Sequence, residues 1–186
     1  MGAMKNNAIE RAVQEIRQPL AGAAVCLSAH SSRIRKLWAR LLDKCAPCGQ
    51  YASLLSGLHL AARIRDVSFT DTRTYRLESE QQGQDLASRG LPTECVVASI
   101  ALYVESCVPS LRSDDRKGAE WIRALTRWAS FYQFCLLTGY SRHEAAERLL
   151  LEEKIGQAER RVRDFSVELA DTYEKERRRL AQDLHD

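Results

Sequence analysis

The sequence predicts an all-α protein that consists of a helical bundle followed by a long C-terminal helix. Glycine (9) and proline (4) are few among the 186 residues, and no run of alternating apolar and polar residues is typical of a β-strand. Apolar side chains recur instead at the three- and four-residue spacing of a helix face. Hydrophobic residues make up 45% of the chain, which is enough to form a packed core.

Two apolar stripes predict the first helices of the bundle. The first begins after Ser31 or Ser32, either of which is a suitable N-cap, and the Pro47-Cys48-Gly49 run ends its segment. The apolar residues of the first stripe are Ile34, Leu37, Trp38, Leu41 and Leu42. Those of the second stripe are Leu54, Leu55, Leu58 and Ala62. Each stripe is wide enough to cover one side of a core.

Three further helices complete the predicted bundle. The polar stretch 67–90 is helical in our interpretation. A strongly apolar helix then opens at Leu91-Pro92-Thr93-Glu94 and breaks at Pro109 or just after it. Residues 119–138 are apolar on nearly all sides, which predicts a helix at the centre of the bundle, closed by Gly139.

The segment after Gly139 predicts one long helix. Ser141 and Glu144 form a capping box at its start, and residues 142–186 contain no proline and a single glycine, Gly156. Six positions follow the alternating three- and four-residue spacing of a coiled-coil heptad: Ile155, Ala158, Val162, Phe165, Leu169 and Thr172. We therefore expect two chains to pair through this helix. The alternative is a helix that folds back on its own domain.

The apolar stripe changes register after Leu169. A step of four residues to Tyr173 restores it, whereas a continued heptad would place Glu176 and Arg179 in the seam. Such a stutter locally unwinds a supercoil, and competing registers are what a rotating or sliding signal helix requires. The simpler alternative is that the coil frays at this point.

The last residues carry the most specific motif of the chain. They read Glu176-Arg177-Arg178-Arg179-Leu180-Ala181-Gln182-Asp183-Leu184-His185-Asp186. This run resembles the start of the phosphoacceptor box of sensor histidine kinases in the nitrate-responsive and DesK-type subgroup. The resemblance implies that His185 is the phosphoacceptor and that Asp186 orients its imidazole and takes a proton. It also implies a homodimer that passes phosphate to the receiver domain of a response regulator.

The same resemblance implies a longer parent kinase. The family's second dimerisation helix and ATP-binding domain are not among these 186 residues. ATP and magnesium would therefore bind elsewhere in the parent protein, and this chain should be inactive alone. The alternative is a non-enzymatic helical adaptor that dimerises through the same coiled coil and carries the terminal motif incidentally.

We divide the chain into four parts. Residues 1–29 comprise a start that is typical of cloning, Met1-Gly2-Ala3-Met4, and a helical segment. Residues 30–140 form the helical sensor domain. Residues 141–175 form the signalling coiled-coil helix, and residues 176–186 begin the dimerisation and histidine phosphotransfer helix.

The sensor domain has a weaker resemblance of its own. The helix that contains Trp38 with Leu41-Leu42, the Leu91-Pro92-Thr93-Glu94 opening and the bulky helix before Gly139-Tyr140 are similar to the input domains of bacterial stressosome proteins. The resemblance implies a globin-like helical fold without haem, and it assigns no site residues.

The Cys45-Ala46-Pro47-Cys48 run has the spacing of a ligand pair. Two thiolates at this spacing can hold zinc, enter an iron–sulfur site or form a disulfide. The alternative is ordinary packing, because structural metal sites usually have four protein ligands. The other four cysteines are scattered, and Cys107 and Cys135 lie on apolar helix faces where cysteine acts as a small hydrophobe.

His59 is the candidate for a haem ligand. It shares a stripe with Leu55 and Ala62, and a histidine on a helix that faces a pocket can bind haem iron. The alternative is a half-buried histidine with a local hydrogen bond.

Composition disfavours several functions. The net charge of +3 is too weak to indicate nucleic acid as a partner. The longest apolar stretches, such as residues 95–104, are about ten residues long, whereas a membrane span needs roughly 18. We also find no typical secretory leader. Six unevenly spaced cysteines are typical of a reducing compartment, so we expect a cytoplasmic protein.

Overall fold

The computed structural model describes the backbone of residues 2–46, 48–114 and 116–183 and, within those ranges, the side chains of residues 11–180. This described part contains seven α-helices and one short 3₁₀ helix and no β-strand, so the all-α prediction is confirmed. The chain divides into two compact units, Met1–His143 and Glu144–Asp186.

The seven α-helices vary in length from five residues to 66. Their bounds are α1 Gly2–Ala29, α2 Ser31–Lys44, α3 Ala52–Ser56, α4 Leu60–Phe69, α5 Thr72–Ser88, α6 Thr93–Leu111 and α7 Gly118–Asp183. The 3₁₀ helix, Cys48–Tyr51, joins α2 to α3. Both units share α7, whose residues 118–143 belong to the first unit and whose remainder forms the second.

Helix α1 is part of the core of the first unit. Its buried side chains include Val13, Ile16 and Leu20, and they lie in the same hydrophobic cluster as those of α2 to α7. Arg17 donates a hydrogen bond from Nη2 to the Thr70 carbonyl oxygen at 2.8 Å, which joins α1 to the end of α4. The sensor-domain boundary that we predicted at residue 30 therefore falls inside a packed unit.

Residues 118–143 of α7 bury one face in the core of the first unit, whereas Arg123, Arg127 and Phe134 are exposed, so the prediction of a helix buried on nearly all sides is wrong. Trp128 and Tyr132 are fully buried, and their rings stack with centroids 5.4 Å apart. The Trp128 indole donates to the Tyr75 hydroxyl at 2.9 Å, and the Tyr132 hydroxyl donates to Gln82 at 2.7 Å. These bonds satisfy the polar ends of large side chains that would otherwise be costly to bury.

Helix α7 does not end at Gly139, so the predicted break and the capping box after it are wrong. The helix continues because this glycine serves a close approach rather than a helix end. A Cβ atom at Gly139 would overlap the Glu80 carbonyl oxygen, and one at Gly83 would overlap the Leu136 carbonyl oxygen. Where α5 meets α7, Gly83 of α5 therefore lies against the backbone of α7, and Gly139 of α7 lies against the backbone of α5.

Of two predicted helix ends, the start of α2 differs from the structure and the end of α6 agrees with it. Neither Ser31 nor Ser32 caps α2: the N-cap position is His30, which makes no side-chain cap hydrogen bond. Helix α6 continues through Pro109 and ends at Leu111, in agreement with a break just after the proline. Pro109 therefore lies in the last turn of α6, two residues before the helix ends.

Helix α6 is the one helix in the described part of the chain that is long and apolar enough, by length and composition, to cross a membrane. Half of that apolar window is buried inside the structure. Its buried residues include Cys95, Ile100 and Tyr103. A core helix of this kind passes the same length and composition test.

The second unit is described as a single helix over residues 144–183 of α7. At 1.5 Å per residue this helix is about 60 Å long. Large apolar side chains are exposed along it: Leu149, Leu150, Leu151, Ile155, Val162, Phe165, Val167, Leu169, Tyr173 and Leu180. No other described element of this unit covers them.

We expect Gly139→Ala to destabilise the first unit, because the added methyl group would overlap the α5 backbone. The expected loss is about 1–3 kcal/mol in the free energy of unfolding, measured by circular dichroism during urea denaturation. Gly156→Ala is the matched control, since nothing lies within 4 Å of an added Cβ there. That change should stabilise its helix by about 0.5–1 kcal/mol. Equal effects of the two substitutions would contradict the close-approach explanation.

Candidate functional site

The terminal motif lies only partly within the described residues. Helix α7 includes the motif as far as Asp183, whereas the predicted phosphoacceptor His185 and its neighbour Asp186 lie outside the described residues. The Glu174 carboxylate accepts a bidentate pair of hydrogen bonds from the Arg177 guanidinium, with N–O distances of 2.9 and 3.0 Å. It accepts a third hydrogen bond from Arg178 at 3.2 Å. These exposed pairs one helical turn apart favour the helix by a few tenths of a kcal/mol each, roughly 0.3–0.5.

The predicted coiled-coil seam is an exposed apolar stripe in the second unit. In heptad notation Ile155, Val162 and Leu169 occupy position a, and Phe165 occupies position d. Val162 is 66% exposed. Val167 is 63% exposed but occupies position f, on the opposite side of the helix from the seam. The chain therefore contains one valine inside the predicted seam and one outside it, with similar exposure.

Cys45 and Cys48 are brought together by a tight turn after α2. Cys45 is the C-cap of α2 and donates its amide to the Leu42 carbonyl, and the Gly49 amide donates to the Cys45 carbonyl at 3.2 Å. This turn places the two sulfur atoms 3.1 Å apart. Cys45 is half-buried and Cys48 is buried. Neither forms a disulfide in the structure.

A third cysteine, Cys95, joins this pair. It lies in the first turn of α6, is fully buried and is close enough to Cys48 to contribute to the raised pKa of that thiol. Burial, together with the neighbouring Cys45 and Cys95, raises the pKa of the Cys48 thiol to about 12. Cys48 therefore keeps its proton at neutral pH. Sequence analysis missed Cys95, because the packing of α6 against the turn is the only signal that relates it to the pair.

Metal ligation by these residues stays a prediction. In the described ranges, no group of three or more His, Cys, Asp or Glu side chains is arranged to hold a metal ion. The Cys45, Cys48 and Cys95 cluster supplies three thiols, and a structural zinc site usually takes four ligands. The cluster therefore resembles a dithiol, Cys45 and Cys48, with Cys95 as a buried neighbour. It resembles a closed zinc site less.

His59 does not lie within a helix. It is the N-cap of α4 and has a left-handed backbone conformation with φ of 48°, the one such non-glycine residue in the described part of the chain. Its side chain is exposed, so the alternative of a half-buried histidine is wrong, whereas haem binding stays a prediction. The histidine lies at the rim of a cavity rather than on the stripe of Leu55 and Ala62.

That cavity has a volume of about 540 Å³ and lies between α1, α2, α4 and α6. Its walls are largely apolar: Ala24, Leu27, Ile34, Trp38, Leu60, Ile64 and Tyr103. Its charged lining residues are the exposed Arg35 and Arg65, and no acidic residue lines it. The volume is within the range of small-molecule pockets.

Trp38 and Tyr103 make one wall of the cavity rigid. Their rings meet edge to face with centroids 5.6 Å apart, and the Trp38 indole donates to the Ser99 carbonyl at 3.0 Å. Burial raises the pKa of the Tyr103 hydroxyl, so this hydroxyl is neutral at physiological pH. The cavity is therefore preformed by fixed aromatic side chains.

Glu80 is a buried carboxylate beside the α5–α7 crossing. Its side chain is 5% exposed, and its nearest cation is Arg142, with an N–O distance of 2.5 Å. Arg76 approaches the other carboxylate oxygen at 3.6 Å. Sequence analysis missed this pair, because Glu80 lies in a polar stretch where nothing distinguishes it from an exposed glutamate.

Comparison of the chain with protein-family models, with curated proteins and with solved structures found no match.

We expect Arg142→Ala to lower the free energy of unfolding by about 1–3 kcal/mol at neutral pH, because it leaves the buried Glu80 carboxylate without its closest cation. Arg127→Ala is the matched control. Arg127 pairs with Glu15 at 3.7 Å, but both side chains are exposed, so its loss should cost less than about 0.5 kcal/mol. Denaturant unfolding at fixed pH measures both, and equal losses would contradict a structural role for the buried pair.

Proposed function

We propose that this chain is the sensory and dimerisation portion of a two-component sensor histidine kinase. The observation that carries the proposal is the terminal motif Glu176–Asp186. Its residues match the phosphoacceptor box at every position where that box has a characteristic residue. Its helical context and the heptad spacing that precedes it support the same proposal. In this proposal the protein acts in the cytoplasm as a homodimer.

The chemistry of the proposal is phosphoryl transfer to an imidazole. A ring nitrogen of His185 attacks the terminal phosphorus of ATP, the bond to the bridging oxygen breaks, and ADP leaves. Asp186 accepts a hydrogen bond from the other ring nitrogen, which keeps the attacking nitrogen unprotonated and stabilises the positive charge on the ring. An ATP-binding domain of the parent protein would supply ATP and magnesium. The phosphate would then pass to an aspartate of a response regulator receiver domain.

The two units would have different tasks in such a kinase. The first unit would receive the signal, since it contains the preformed cavity and the cysteine cluster. The second unit would pair two chains through Ile155, Val162, Phe165 and Leu169, whose exposed apolar surface would be covered by the same surface of a second copy. Dimerisation places the histidine of one chain within reach of a catalytic domain, which a monomeric helix would not do.

We expect His185→Gln to abolish autophosphorylation of the full-length protein while leaving the dimer intact. The measurement is incorporation of radioactive phosphate from ATP into acid-labile, base-stable linkages, which is the signature of phosphohistidine. His143→Gln is the matched control, because it lies on the same helix and far from the motif. Retained phosphorylation of the His185→Gln variant would contradict the proposal. Absence of phosphorylation from the unmodified full-length protein would instead favour the non-enzymatic adaptor.

We expect Val162→Lys to weaken the dimer at least about tenfold, because it places a charge in an apolar seam. Val167→Lys is the matched control: it makes the same change at similar exposure but outside the seam. Sedimentation equilibrium of the 21.1 kDa chain measures both dissociation constants. A monomeric unmodified chain, or equal weakening by both substitutions, would contradict dimerisation through this seam.

A further inference from the structure

We propose that Cys45 and Cys48 form a redox-active dithiol that a hydroperoxide oxidises to an intramolecular disulfide. The sulfur atoms are already 3.1 Å apart. A disulfide bond is about 2.05 Å long, so the pair closes by a movement of roughly 1 Å. A backbone hydrogen bond from Gly49 to the Cys45 carbonyl holds the two cysteines close to each other.

The two thiols differ in access, and this difference gives them separate roles. Cys45 is half-buried, so it is the sulfur that a reagent reaches first. Cys48 is buried but lies against the Cys45 sulfur, so it meets the oxidised Cys45 instead of the reagent and is the resolving thiol. The partial burial of Cys45 favours a small oxidant over a bulky peptide disulfide. Hydrogen peroxide and small organic hydroperoxides therefore have the right size and chemistry.

The reaction balances as a two-electron oxidation. The Cys45 thiolate attacks the peroxide, the O–O bond breaks, and water or an alcohol leaves, so that Cys45 becomes a sulfenic acid. The Cys48 sulfur then attacks the Cys45 sulfur while the Cys48 proton passes to the departing hydroxide, so that an S–S bond forms, the S–O bond breaks and water leaves. The two thiols lose two electrons and two protons in total, and the hydroperoxide gains them. An external dithiol reductant would restore the reduced pair by thiol–disulfide exchange.

The structural effect of oxidation would reach α6 through Cys95. In the reduced protein the Cys45 thiol donates a hydrogen bond to the Cys48 sulfur, and Cys95 is close enough to Cys48 to contribute to its raised pKa. Formation of the disulfide removes both thiol protons and moves the Cys48 sulfur towards Cys45. Because Cys95 is fully buried in the first turn of α6, that movement changes the packing beside α6. The inference does not depend on the histidine kinase proposal, because it concerns the thiols alone.

The test is a titration of the reduced 186-residue chain with hydrogen peroxide, followed by alkylation, tryptic digestion and mass spectrometry. Cys45 and Cys48 fall in one tryptic peptide, 45–63, whereas Cys95 falls in peptide 90–112. We expect peptide 45–63 to become about 2 Da lighter than its unalkylated dithiol form, through loss of two thiol hydrogens. We also expect hydrogen peroxide to oxidise Cys45 about tenfold faster than Cys26, the other half-buried cysteine.

Three serine variants separate the roles of the thiols. Cys48→Ser should trap Cys45 as a sulfenic acid that dimedone captures, and Cys45→Ser should leave Cys48 reduced. Cys26→Ser is the control and should oxidise as the unmodified chain does. Circular dichroism checks that each variant is folded.

Three results would overturn the proposal. The first is a cross-link between peptides 45–63 and 90–112 as the main product, and the second is oxidation of Cys26 at the same rate as Cys45. The third is a stoichiometric metal ion in the reduced protein that protects the pair, since it would make the cluster a metal site instead.

Discussion

The close approach of α5 and α7 is the constraint on which the rest of the first unit depends. Gly83 on α5 and Gly139 on α7 have no side chains, so the backbones of the two helices come into direct contact at these positions. Nearby on α7, the large side chains of Trp128 and Tyr132 fill the space against α5. Small residues at one level of the crossing and large ones at another are how a helix pair reaches close packing without strain. The same approach excludes water from Glu80, whose buried carboxylate then needs a cation from the same region of α7.

Periodicity predicted which segments are helices but not how glycine and cysteine act within them. The apolar pattern of residues 119–138 predicted a helix that contributes to the core, but not that one of its faces, which includes Phe134, is exposed. Gly139 was misread because a glycine that ends a helix and one that permits a close approach look the same in sequence. Cys95 was missed because its neighbours Cys45 and Cys48 are distant in sequence. Such contacts are set by tertiary packing, which local spacing does not encode.

The second unit presents the opposite problem, since its apolar pattern can be read from the sequence while no other described element of the unit covers it. A helix with an apolar stripe is seldom stable alone in water, because packing of that stripe provides most of the stability of protein helices. The exposed seam of Val162, Phe165 and Leu169 therefore requires a covering surface. A second copy satisfies this requirement with the smallest number of assumptions, because a heptad seam is complementary to itself. Dimerisation is also the geometry that the proposed phosphotransfer needs.

Helix α6 is the element that both candidate input sites share. Tyr103 forms a wall of the cavity and Cys95 contacts the dithiol, so a ligand or an oxidant would act on the same helix. Within the first unit α6 is also tied to α7, since Gln133 donates to the Val97 carbonyl at 3.1 Å and the Tyr140 hydroxyl donates to the Leu91 carbonyl at 2.9 Å, just ahead of α6. A displacement of α6 would have to carry α7 with it or break these buried or half-buried hydrogen bonds. Because breaking them costs about 1–3 kcal/mol each, movement of the two helices together is the cheaper response.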